Sequence, residues 1–167
     1  MDAKRWVIRN LIEKIYHHIF SIDRLVNNLD NFGGVYRLNQ LKYVKILSIP
    51  VSIIVLAYDH WISLYLTKDS VEIMDSAGII HSNFMHKSLR RFLRVHIYNK
   101  NLSITPKLQS DDSSVCALYA AAFLYYRTIT NKTLCDFIKI FTTDFDINCS
   151  IINDISAVIW PNLKLKK

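Results

Sequence analysis

Glycine is scarce in this chain, with three in 167 residues, and two of the three are adjacent, Gly33-Gly34. Where glycine is used so sparingly, a pair marks a turn or another backbone demand that no other residue meets. Cysteine is equally sparse. Cys116, Cys135 and Cys149 make an odd set, which argues against a disulfide framework and for free thiols in a reducing compartment. Long apolar runs are missing too. The longest, Ile46 to Tyr58, is too short to cross a bilayer, contains Pro50, and reads as a buried strand. Met1 to Phe20 carries charges throughout and no small-residue cleavage site, so neither a signal peptide nor secretion is expected. The glycosylation-like triplets at Asn101, Asn131 and Asn148 are then chance matches.

Repeats, linkers and composition breaks are also lacking, so residues 1–167 are expected to form one domain with a real core. Hydrophobic residues make up 51% of the chain, which argues against disorder. Acidic residues number 14 against 21 Lys and Arg, a net charge of +7, so an acidic partner is expected, nucleic acid first.

Helical spacing over residues 4–29 (the 1–30 N-terminal segment) places Trp6, Ile8, Leu11, Ile12, Ile15 and Ile19 near one face. His17-His18 falls on that helix, but neighbours on a helix do not share a face, so no metal site is expected. Strands fill 43–75. SIPVSIIVLAY is β-branched and bounded by Asp59, and HWISLYL and VEIMD alternate around the turn Lys68-Asp69-Ser70, as a hairpin does. The last of these strands ends at Asp75, before the turn residues Ser76-Ala77-Gly78. Residues 82–98 return to helical spacing. Met85, Leu89, Phe92 and His96 line one stripe, and Lys87, Arg90, Arg91 and Arg94 line another. NLSIT is a short strand ending at Pro106. Helices are expected from Ser114 to Arg127, near 131–141 and near 146–159, the last two capped by Asn131 and Asp146.

The segment LQSDDSSVCALYAAAFLYYR turns from polar to apolar at Cys116. Ser113 or Ser114 is a natural N-cap, which puts Cys116 in the first helical turn, where free amides and the helix dipole favour a thiolate. A free cysteine in a helix is otherwise a small hydrophobe, the reading given to Cys135 and Cys149. A nucleophilic cysteine needs a base, an orienter for that base and oxyanion donors. His60 opens one hairpin strand and Asp75 closes the next, so the two ends are neighbours. Asp59 is a competing orienter, but a sequence neighbour on a strand points to the opposite face. Gln109, seven positions before Cys116, can lend an amide N–H beside the backbone N–H of Cys116. Trp61 either walls the site beside His60 or is plain core.

HWISLY, VEIMDSAGI and QSDDSSVC, in that order, resemble the adenovirus maturation protease family (adenain). The wider group takes in SUMO-specific proteases and proteases of virophages, polinton-like elements and other large DNA viruses. NFGGVYRLNQL resembles the segment before the histidine strand in viral members, and the resemblance spans roughly residues 30–127. The Gln109–Cys116 spacing is of the adenovirus type, while Asp75 followed by Ser76 is closer to the SUMO-protease side. The resemblance implies an α+β, small papain-like cysteine protease fold of the adenain type. In it a central mixed sheet is flanked by helices and the nucleophile starts a buried helix within 114–159.

It also implies a viral endopeptidase with a Cys116–His60–Asp75 triad and Gln109 in the oxyanion hole, with no metal. Its substrates would be precursor polypeptides cut at small, Gly-containing sites during virion maturation. The place of action would be the virion and the infected cell, away from membranes, with one chain as the working unit. DNA and an activating peptide are the cofactors the family suggests, and the basic stripe of 82–98 is either a DNA-binding face or a solvated one. Two departures stand out. Ala117 occupies the family's glycine position, and no cysteine precedes Cys116, so a disulfide-linked activator cannot attach upstream of the nucleophile as it does in adenoviruses. The alternatives are an isopeptidase acting on ubiquitin-like conjugates, and an inactive DNA-binding virion protein that keeps a protease fold.

Overall fold

The computed structural model describes residues 22–81 and 86–161. The expected helical face from Trp6 to Ile19, the His17-His18 pair and Met85 lie outside the described residues. Five strands form one mixed sheet in spatial order β1 to β5: β1 (Phe32–Arg37), β2 (Val51–Ala57), β3 (His60–Leu66), β4 (Ser70–Met74) and β5 (Asn101–Ile104). The central β2–β3 and β3–β4 pairs are antiparallel, and the outer β1–β2 and β4–β5 pairs are parallel. β2 and β3 are buried along almost their whole length, which is why VSIIVLA reads as an unbroken apolar run.

β3 shows how one strand serves two layers. Ile62, Leu64 and Leu66 face a cluster that includes Leu89, Phe92 and Leu93 of helix α1 (Lys87–Ile97). Trp61 and Tyr65 face the opposite cluster, built around helix α2 (Cys116–Thr130). α2 is buried at most of its positions because α3 (Leu134–Ile138), α4 (Phe145–Ile159) and the helical stretch 22–26 close around it. The result is an α+β architecture with helices on both faces of a five-stranded mixed sheet.

Several sequence expectations need correction. Gly33-Gly34 is not a turn but lies inside β1, beside a shift in the β1–β2 register. A Cβ on Gly33 would sit 2.8 Å from a Val51 methyl, so glycine is required there by close strand approach. The strand predicted from Ile46 begins only at Val51, because Pro50 has no N–H for the ladder, and Leu47 is 91% exposed. Asn131 does not start α3. It ends α2 in the left-handed conformation (φ 56°), and Thr133 opens α3 through a capping box with Asp136. Asp144, not Asp146, caps α4, accepting from the amides of Asp146 and Ile147.

Candidate active site

The β2–β3 hairpin turns through Tyr58 and Asp59, with Tyr58 at φ 59°, so that Ala57 pairs with His60 at the sheet's end. β4 ends one residue before Asp75, on the strand beside His60. The strand ends therefore bring the two side chains together. His60 Nε2 lies 2.8 Å from Asp75 Oδ1, with His60 6% exposed and Asp75 fully buried. Asp59 is exposed at the hairpin tip and takes no part in this bond.

A buried carboxylate persists only if its lone pairs are filled. Asp75 Oδ1 also accepts from Gly78 N (3.1 Å), and Oδ2 accepts from Ile80 N (2.7 Å). The turn that supplies these amides needs Gly78 at φ 74°. Thr105, at the end of β5, accepts from Asp75 N through its hydroxyl at 2.8 Å. Asp75 is thus fixed from both neighbouring segments before it orients anything.

Cys116 is the first residue of α2 and is 7% exposed. Val115 occupies the N-cap position, and no side chain caps the helix, so neither Ser113 nor Ser114 performs the role expected of it. The uncapped end leaves first-turn amides for chemistry instead. The His60 side chain and the backbone N–H groups of Trp61 and Ala117 act electrostatically on the Cys116 thiol. With Nε2 committed to Asp75, Nδ1 is the ring nitrogen that remains for sulfur.

These contacts set the charge state. Burial raises the Cys116 pKa, but the His60 hydrogen bond, the Trp61 amide and the His60 charge together bring it below the ordinary thiol value. Burial likewise works against the charged His60, and the hydrogen bonds of Asp75 and then Cys116 outweigh it, pushing the imidazole up to about 9. A thiol moved down and an imidazole moved up both favour the thiolate–imidazolium form of the pair.

Gln109 is 4% exposed and makes no direct hydrogen bond to Cys116 or His60. Its side-chain oxygen accepts from Ser76 Oγ (2.8 Å), and its Nε2 donates to the Ser113 carbonyl at a longer 3.3 Å. The Ser76 carbonyl also accepts from the amides of Leu108 (2.8 Å) and Gln109 (3.1 Å). Ser76 therefore ties the Gln109 loop to the residue after Asp75. Sequence reading took Ser76 as turn chemistry and as part of the family resemblance and missed this role, as it missed that of Thr105.

Trp61 is 5% exposed and, with Leu56, Tyr58, Asp59, Ser114 and Ala117, lines a cleft of about 270 Å³ that includes Cys116. Lys87, Arg90, Arg91 and Arg94 are all exposed on α1, across the sheet from α2 and outside this cleft. Cys135 is exposed and Cys149 half-buried, so only Cys116 combines burial with an ionising partner. Among the described residues no group of three or more His, Cys, Asp and Glu side chains could hold a metal ion, and no helix is long and apolar enough to cross a membrane.

No family model matches the chain, and no curated protein matches it. Several solved structures resemble its fold. One is the central domain of the uncharacterized Lpg1148 protein from Legionella pneumophila, at 12% identity and a TM-score of 0.42, covering 77% of this chain and 85% of the other. Another is a de-sumoylating protease, at 14% identity and a TM-score of 0.41, covering 86% of this chain and 75% of the other. What the cleft can do follows from its own side chains.

Proposed function

We propose that the chain is a cysteine endopeptidase that hydrolyses peptide bonds beside small residues. The observation that carries this reading is the buried chain Asp75–His60–Cys116 at the uncapped start of α2, polarised toward thiolate and imidazolium. Cys116 Sγ attacks the scissile carbonyl carbon. The oxyanion is met by the Cys116 backbone N–H and a Gln109 Nε2 hydrogen, donors each worth about 3 kcal/mol in comparable sites. His60 gives its proton to the leaving amine, which departs and leaves a thioester. His60 then takes a proton from water, whose oxygen displaces the sulfur and frees the acid.

Trp61, Tyr58 and the Ala117 methyl beside the thiol support a preference for glycine and other small residues at the cut. Family resemblance extends the reading to precursor proteins processed during virion maturation in an infected cell, with DNA as an optional cofactor acting away from the chemistry. A library of Gly-containing peptides, with products sequenced, tests the activity. Cleavage abolished by Cys116→Ala supports it. A protein that labels rapidly at Cys116 yet cuts no peptide, while opening a folded ubiquitin-like conjugate, would replace the endopeptidase with an isopeptidase. Failure on both substrates would remove the enzymatic reading.

A further inference from the structure

A second concavity among the described residues is larger than the cleft at Cys116. A groove of about 560 Å³ runs between the 3-10 segment Leu38–Tyr43 and α1, a size ordinary for a ligand site. Its floor is apolar, made by Leu41 and Phe92, both nearly buried. Its lips carry Tyr43, 72% exposed, and Val95, 65% exposed. Its rim carries Lys42, Lys87 and Arg91, and among the described residues no carboxylate lines it. Among the described residues none of these three cations has a carboxylate partner, although Lys42 lies over the Tyr43 ring at 4.6 Å from its centroid.

α1 sorts its basic residues into two rows. Lys87 and Arg91 lie four apart on the groove side, together with Val95, while Arg90 and Arg94 do not line the groove. The stripe that looks uniform in sequence therefore splits into a row beside apolar surface and a row facing solvent. A phosphate backbone is held by exposed cations and has nothing to offer an apolar floor. A segment that satisfies floor and rim together carries apolar side chains among acidic ones.

We propose that this groove docks an acidic peptide segment bearing bulky apolar side chains. Apolar anchors enter between Tyr43, Phe92 and Val95, and the acidic side chains meet Lys42, Lys87 and Arg91. α1 covers the face of the sheet opposite α2, so a docked segment leaves the Cys116 cleft open. The inference stands independently of the peptidase reading.

Fluorescence anisotropy with labelled short peptides tests it. One probe alternates Asp and Glu with Leu and Phe, a second keeps its charge but replaces Leu and Phe by Ser, and duplex DNA is the competitor. The first peptide is expected to bind saturably, and the second at least about tenfold more weakly. Lys42→Glu with Arg91→Glu is expected to cost at least about tenfold, whereas the charge-matched Arg90→Glu with Arg94→Glu stays within about twofold. Val95→Ser, at an exposed position that does not threaten the fold, should weaken the first peptide more than the second. Equal losses in the two charge-reversed pairs, preferential binding of the duplex, or no saturable peptide binding would each overturn the assignment. Cys116 labelling, run on every variant, shows that the fold is intact.

Discussion

β4 carries two buried carboxylates three residues apart, Glu72 on the strand and Asp75 just past its end, and they serve opposite ends. Glu72 Oε2 accepts from Arg127 Nε at 2.6 Å, and Oε1 accepts from Leu134 N at 2.8 Å. Arg127 also donates to Asn131 Oδ1 and lies over the Tyr65 ring, 4.6 Å from its centroid. That network clamps the end of α2 and the start of α3 to the sheet. Asp75 is equally well bonded, but its charged partner is a histidine, and that histidine has a thiol on its other side. The difference lies in the partner. A guanidinium never gives up its proton in a protein, so the Glu72 pair can only hold shape, whereas an imidazole can pass its proton on.

Exchanging the charge at each carboxylate separates these roles. Asp75→Asn is expected to lower turnover by about 10⁴-fold, since an amide no longer fixes the ring tautomer or stabilises the imidazolium. Peptide hydrolysis and thermal melting on one preparation check this, with the melt expected to move far less than the rate. Glu72→Gln should do the reverse. It leaves Arg127 charged and buried without its partner, a loss of about 3–5 kcal/mol in denaturant unfolding, while Cys116 keeps its ionisation profile. A Glu72→Gln protein that is stable but slow would erase the distinction. The smallest effect belongs to Ser76→Ala, which frees Gln109 Oε1 and should lower kcat about tenfold with KM nearly unchanged. Ser76→Thr, which restores a hydroxyl, should recover part of that loss.

Much of this arrangement was legible in the sequence because it depends on local order. A histidine opening one hairpin strand and an aspartate ending the next must meet, and a cysteine after a polar run must start the helix that follows. The helix-capping residues were less legible, because several Ser, Asn and Asp candidates stand within two or three positions of one another. Thr133 and Asp144 cap with their side chains, whereas Val115 starts α2 with none. Glu72 and Arg127 lie 55 residues apart, and no local signal joins them. One clue was available: Glu72 shares the α2 side of β4 with Met74, so a strand buried there requires a cation across from it. Ser76 was hidden for a related reason, since its side-chain partner, Gln109, is 33 residues away. The two rows of α1 could not be told apart until the segment Leu38–Tyr43 supplied a wall.

The central claim is that His60 and Cys116 exist as an ion pair, and the alkylation rate of Cys116 against pH tests it most directly. Exposed Cys135 in the same chain serves as the reference thiol. The Cys116 pKa is lowered and that of His60 raised to about 9, so the Cys116 rate should rise at lower pH than that of Cys135. The rate should then hold level until His60 loses its proton near pH 9, where a second step appears and turnover falls. His60→Ala should return Cys116 to an ordinary thiol profile. A Cys116 profile that matches Cys135 in the unaltered protein, or one that His60→Ala leaves unchanged, would contradict the account.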